Sequence, residues 1–159
     1  MKKPNILTLI CVLATTAITF ASPAPPIFQM RLVLDAPSGD SQPMSYITHN
    51  QNSTYTNVLN VQKTALLDQT ALESAKPGTD ALGQPVIDIT FTRSGAEQFA
   101  EVTRQNIHKR LAIIIGGQVC EAPIIQMEIS GGKAQISGKF SKQEVKDLAR
   151  KINDALTKK

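Results

Sequence analysis

Leu111-Ala112-Ile113-Ile114-Ile115-Gly116-Gly117-Gln118-Val119-Cys120-Glu121 is the stretch that decides how this chain folds. Its first five residues are apolar and rich in β-branched Ile, as in a strand buried on both faces. Gly116 and Gly117 then fit the two central positions of a tight hairpin, where positive φ costs glycine nothing. Gln118 to Glu121 is the returning strand, and Pro123 marks an edge, a bulge or its end. Ile124 to Ile129 resumes the apolar run, Gly131-Gly132 makes a second turn, and Ala134 to Ser137 is a last short strand. Ser141 and Glu144 have capping-box spacing. The helix behind them carries Val145, Leu148, Ala149, Ile152 and Leu156 on one face, with basic residues near its end.

Upstream of the hairpin, Val86 to Thr92 alternates cleanly. Ile87, Ile89 and Phe91 point one way; Asp88, Thr90 and Thr92 point the other. Ser94 with Glu97 opens a helix to about Arg110. Its core stripe is Ala96, Phe99, Ala100, Thr103, Ile107 and Leu111, while Glu101, Arg104 and His108 face water. Phe28 to Leu34 also alternates, with Phe28, Met30, Leu32 and Leu34 sharing a face. Asp35 to Thr56 is polar and reads as a long loop or insertion, followed by a short strand from Val58 to Val61. Thr70 and Glu73 suggest a single helical turn ending at Lys76-Pro77-Gly78. Helices and strands mix without regular βαβ alternation. This predicts an α+β domain: a single, mostly antiparallel sheet with two main helices packed on it.

The N-terminus has a different purpose. Lys2 and Lys3 precede the apolar stretch Ile6 to Phe20, and Thr19-Phe20-Ala21 supplies small residues for cleavage before Ser22-Pro23-Ala24-Pro25-Pro26. That is the layout of a secretory signal peptide, which places the protein in the periplasm or cell envelope. An uncleaved membrane anchor is the competing reading, and the shortness and Thr content of the stretch speak against it. The chain thus divides into a signal peptide (1–21), a first strand with a polar loop or insertion (22–57), and an α+β domain (58–159). The 28–34 strand belongs to that domain.

Cleavage after Ala21 removes 21 of the 159 residues, including Lys2 and Lys3 but no acid, so net charge falls from +4 to +2. That bias is too weak to indicate nucleic acid, and no aromatic residues interleave the basic ones. Cleavage also removes Cys11 and leaves Cys120 alone, either as a small buried hydrophobe or as a reactive or intermolecular thiol. No membrane span is expected after cleavage.

Motifs of catalysis are missing. There is no nucleophile elbow, no glycine-rich loop with a phosphate-binding Lys, and no paired His or Cys spacing for a metal. Asp88 and Glu121 fit outward strand positions as well as they fit paired carboxylates. Gly131-Gly132-Lys133 reads as a hairpin turn rather than an anion nest, because no helix starts directly behind it. Neither a catalytic residue nor a cofactor or metal ligand is assigned, and a non-enzymatic protein is expected.

Taken together, Phe99 to Asn106, Arg110 to Ile115, Ala122-Pro123-Ile124-Ile125, Ser130-Gly131-Gly132 and Gln135-Ile136-Ser137-Gly138 resemble the head subdomain of the first periplasmic domain of SecD. SecD works with SecF beside the Sec translocon. The likeness is strong from Gly83 to Leu156 and weak from Asp35 to Asn57. On that basis Gly116, Gly117, Pro123, Gly131, Gly132 and Gly138 are structural turn residues of the family motifs. Gly116-Gly117 replaces a usual Asp-Gly, and Ala134 replaces a usual third Gly. The chain has no counterpart of the multi-span membrane part through which the family is thought to couple proton flow to work. The resemblance therefore implies the fold and a protein-binding role outside the membrane, toward Sec translocon components or translocating preprotein. An envelope interaction or scaffold module that kept only the fold is the alternative.

Overall fold

The computed structural model describes residues 25–50 and 53–157. The signal-peptide reading of 1–21 lies outside them. Among the described residues nine strands and two α-helices follow in order: β1 (Phe28–Leu34), β2 (Ser41–Asn50), β3 (Ser53–Gln62), β4 (Leu67–Asp68), β5 (Leu72–Thr79), β6 (Pro85–Phe91), α1 (Arg93–Gln105), β7 (Leu111–Ile115), β8 (Gln118–Glu121), β9 (Lys133–Ile136) and α2 (Lys142–Leu156).

These strands form two sheets, which corrects the expected single sheet with helices packed on it. One sheet runs β3-β2-β8-β7-β1 and closes on itself where Val33 and Leu34 of β1 meet Val61 and Asn60 of β3. The result is a five-stranded barrel, with β4 paired to the lower part of β1. All its pairings are antiparallel except the parallel contact between Tyr46 and Val119. The second sheet is antiparallel, in the order β5-β6-β9.

Leu111–Ile115 explains how one strand serves both. Ala112 and Ile114 point into the barrel, where they join Leu59, Val61, Val119 and Ala122. Leu111, Ile113 and Ile115 point the other way, into a larger core with Phe28, Met30, Ile87, Ile89, Phe99 and Ile152. All five residues are buried, as the unbroken apolar run requires, but their two faces meet two different cores.

The polar stretch from Asp35 to Thr56, expected as a loop or insertion, supplies β2 and the first four residues of β3. Ten residue pairs join these strands, from Ser41↔Gln62 to Asn50↔Ser53. Only one end of this hairpin reaches the barrel interior, through Met44, Tyr46, Leu59 and Val61. Ile47, Tyr55 and Val58 stay exposed, so the apolar alternation that marks a strand is confined to a few positions.

The helical turn expected at Thr70 is a single 3-10 turn over Gln69–Ala71 capped by Asp68, whose carboxylate accepts from the Thr70 amide at 2.8 Å. Strand β5 then runs straight through Lys76-Pro77-Gly78. Pro77 pairs with Ile87 at an edge position, where its missing N–H costs the ladder nothing.

Helix α1 is capped by Thr92, two residues before the expected Ser94, and it ends at Gln105 rather than near Arg110. The Asn106 side-chain Nδ2 donates back to the Val102 carbonyl at 2.8 Å, and His108 takes φ 68° to turn the chain into β7. Ile107 and Leu111 thus leave the helix stripe. At Gly95 any Cβ would collide with the Ala71 carbonyl, so α1 packs on that turn only with glycine there. The Phe91 and Phe99 rings stack with centroids 4.6 Å apart and tie α1 to β6. Helix α2 begins with the expected capping box at Ser141 and Glu144 and buries Val145, Ala149 and Ile152.

Candidate functional site

Between β9 and the non-strand segment after β8 lies an apolar groove of about 280 Å³. Its floor is main-core surface: Met30 of β1, Leu111 and Ile113 of β7, and Phe99 and Thr103 of α1. One wall is Ala134 and Gln135 of β9; the other is the segment from Pro123 to Ile129. Ile124 and Met127 on that wall are 51% and 68% exposed, unusual for side chains so apolar.

A single buried hydroxyl organises the outer wall. Thr103 Oγ1 donates within α1, to the Phe99 carbonyl at 2.8 Å, and accepts the Ile129 amide at 3.0 Å. Closer to β8, the Leu111 amide donates to the Pro123 carbonyl, and Ile125 exchanges backbone hydrogen bonds with His108 and Lys109. The segment is pinned at both ends and follows a course of its own. Accordingly Gly131-Gly132 is not the turn of a paired hairpin: the residues before it pair with nothing in β9, which pairs with β6 instead.

Glu121 closes one end of the groove. Its carboxylate accepts from the Ser137 hydroxyl at 2.6 Å and from the Ser137 amide at 3.1 Å. Burial pushes its pKa above the usual carboxylate range, and the Ser137 bonds partly offset that. Asp88 instead accepts from the Gln135 side chain at 2.9 Å, so the two carboxylates serve different partners and form no acid–base pair. Among the described residues no group of three or more His, Cys, Asp or Glu is placed to hold a metal.

The other singled-out residues fall elsewhere. Gly116 and Gly117 occupy the β7–β8 hairpin with φ of 59° and 81°, and Gly132 bends the chain with φ 67°. Pro123 follows β8, and Gly138 lies between β9 and α2. Cys120 is half-buried on the outer face of the barrel, where burial pushes its thiol up to about 11. His108 is exposed. A second cavity, about 380 Å³, opens at the barrel mouth beside Gln29, Arg31 and the Gly116-Gly117 turn. There Arg31 donates to the Gln29 side chain at 2.6 Å and to the Gln62 carbonyl. The groove beside β9 is the better candidate, because it joins exposed apolar side chains to an open strand edge.

Among the described residues Glu121 is the one ionisable side chain that lines this groove. The family model for the SecDF P1 head subdomain matches residues 45–156, more than two thirds of the chain, and the protein belongs to that family. The Thermus thermophilus protein translocase subunit SecDF is 46% identical over 84 residues, which are 53% of this chain and 11% of that protein. Protein translocase subunit SecD of Magnetococcus marinus is 35% identical over 100 residues, 63% of this chain and 19% of that one. Among solved structures, that of a membrane component SecDF that enhances protein export superposes with a TM-score of 0.62 at 31% identity, covering 80% of this chain and 61% of that chain. SecDF in a super-membrane-facing form gives 0.60 at 31% identity, over 80% of this chain and 18% of the other. The chain thus spans a small part of the curated relatives it matches. No helix among its described residues is long and apolar enough to cross a membrane.

Proposed function

We propose that this protein is an exported, non-enzymatic SecD-head-like binding domain, accessory to Sec-dependent preprotein translocation. Its partners are Sec translocon components or preprotein in transit. The observation that carries this reading is the groove beside β9, where Ile124 and Met127 stand exposed over an apolar floor. Exposed apolar surface of this kind is costly to leave in water and is suited to unfolded chain, whose apolar side chains are not yet buried. Family membership supports the link to export. The N-terminal Lys2-Lys3 and the apolar stretch behind it support delivery to the periplasm or cell envelope.

The test is photocrosslinking from position 127 of the full chain in its native envelope, with captured proteins identified by mass spectrometry. Sec channel subunits, or a secretory protein arrested in transit, are expected, and Met127→Glu in a chain carrying its probe at 124 abolishes their capture. Recovery of neither, with a different envelope protein enriched, contradicts the translocation role and leaves a domain that shares only the fold.

A further inference from the structure

The backbone pattern of β9 states what kind of ligand the groove is shaped for. In an antiparallel ladder every second residue turns its N–H and C=O toward a given neighbour. The Phe91 amide donates to the Gly132 carbonyl at 3.0 Å. With the register Thr90↔Lys133, Ile89↔Ala134, Asp88↔Gln135, Ile87↔Ile136, it follows that Ala134 and Ile136 bond to β6. Lys133 and Gln135 therefore turn their N–H and C=O away from β6, on the outer edge of β9 whose Gln135 lines the groove. The next residue of that parity is Ser137, and its amide does point outward, to Glu121.

Across the groove the opposite wall is equally unused. Among the described residues no hydrogen bond engages the backbone of Gln126, Met127 or Glu128. Two lines of unpaired backbone thus flank an apolar floor, and the edge is terminated at Ser137 by a carboxylate that already acts as a strand substitute.

We propose that β9 accepts an extended polypeptide as a fourth strand of the β5-β6-β9 sheet, seated between β9 and the 123–129 segment. The proposal rests on the reading of the groove as the binding site and adds how the chain is held there. Lys133 and Gln135 supply main-chain hydrogen bonds, which any sequence satisfies. Alternate side chains of the ligand drop onto Phe99, Leu111 and Ile113, which select for apolar residues at every second position. The groove volume is roughly twice the ~150 Å³ that holds one benzene, room for about two such side chains. The outer wall also decides against a second copy of this domain as occupant. A slot bounded on both sides admits a single extended chain and excludes the edge of a folded sheet.

The probe is a soluble octapeptide alternating valine with lysine, compared with the same peptide N-methylated on alternate backbone nitrogens. The unmethylated peptide is expected to bind and, at saturation, to slow amide exchange of Lys133 and Gln135 at least tenfold. The N-methylated peptide is expected to bind at least tenfold more weakly. Gln135→Pro removes the outward N–H without touching the β6 ladder and is expected to abolish binding, whereas Gln135→Ala keeps it. Equal binding of both peptides, with β9 exchange unchanged, overturns strand addition while leaving the groove reading intact. No binding of either peptide overturns both. Concentration-dependent dimerisation that Gln135→Pro prevents overturns the polypeptide assignment in favour of a second copy. Should Gln135→Pro fail to fold, the methylated peptide on the native protein still decides.

Discussion

The barrel and the three-stranded sheet face the same hazard, the unpaired strand edge, and handle it differently. The barrel removes the hazard by closing β1 onto β3, so its described strands pair on both sides near the core. The sheet cannot close, because three strands are too few, and it keeps two edges. At β5 the edge is guarded: the Asn153 side chain of α2 donates to the Ala75 carbonyl at 2.7 Å and accepts its amide at 2.9 Å, standing in for a neighbouring strand. Pro77 removes a further outward donor from that edge. At β9 the edge is left open at Lys133 and Gln135, beside an apolar groove. One edge of this small sheet is thus guarded and the other bare, and the bare one is where the proposed ligand strand would add.

Substitutions can break or sharpen this contrast. Ile114 is 2% exposed inside the barrel, and Ile114→Ala is expected to cost about 2–5 kcal/mol, read as a shift of the urea midpoint. A cost below 1 kcal/mol would mean that the barrel interior is not a packed core. Asn153→Ala strips the guard from β5 and leaves the buried Ala75 amide without a partner. About 1–3 kcal/mol of stability should be lost, and the variant should self-associate more readily than the native protein in sedimentation velocity. Unchanged association would show that the Asn153 contact is only packing. Ser141→Ala removes the α2 cap and is expected to cost about 1 kcal/mol while leaving both edges alone. The smallest effect is chemical rather than energetic. With its thiol raised from 9.0 to about 11, Cys120 should react with iodoacetamide at pH 8 about a hundredfold more slowly than in the unfolded chain. Equal rates would place Cys120 in water and contradict its packing against the larger core.

Much of this fold is visible in the residues themselves, where one face of an element is apolar and the other is not. Strands β1 and β6 follow from their alternation, α2 from Ser141, Glu144 and its stripe, and the β7–β8 hairpin from Gly116-Gly117. What escapes is set by partners distant in sequence. Leu111–Ile115 announces burial on both faces, yet nothing local says that its faces belong to two cores, and so the second sheet is hidden. Hairpin β2–β3 protrudes beyond the barrel and lacks the pattern that burial imposes. Pro77-Gly78 disguises β5, because an edge tolerates residues that a central strand does not. The groove was half legible: Ile124 to Ile129 stands out as apolar, and the turn beyond it as glycine. Its unpaired course depends on Thr103, which reads as a core position of α1 and whose hydroxyl holds the Ile129 amide.

The most direct test of the open edge is residue-resolved amide exchange on the free protein. Ala75, Ala134 and Ile136 should be protected, the first by Asn153 and the other two by β6, while Lys133 and Gln135 exchange at least a hundredfold faster than their immediate neighbours in β9. Protection of Lys133 and Gln135 equal to that of Ala134 would show that the outer edge is already occupied, and would contradict the division between a guarded and an open face.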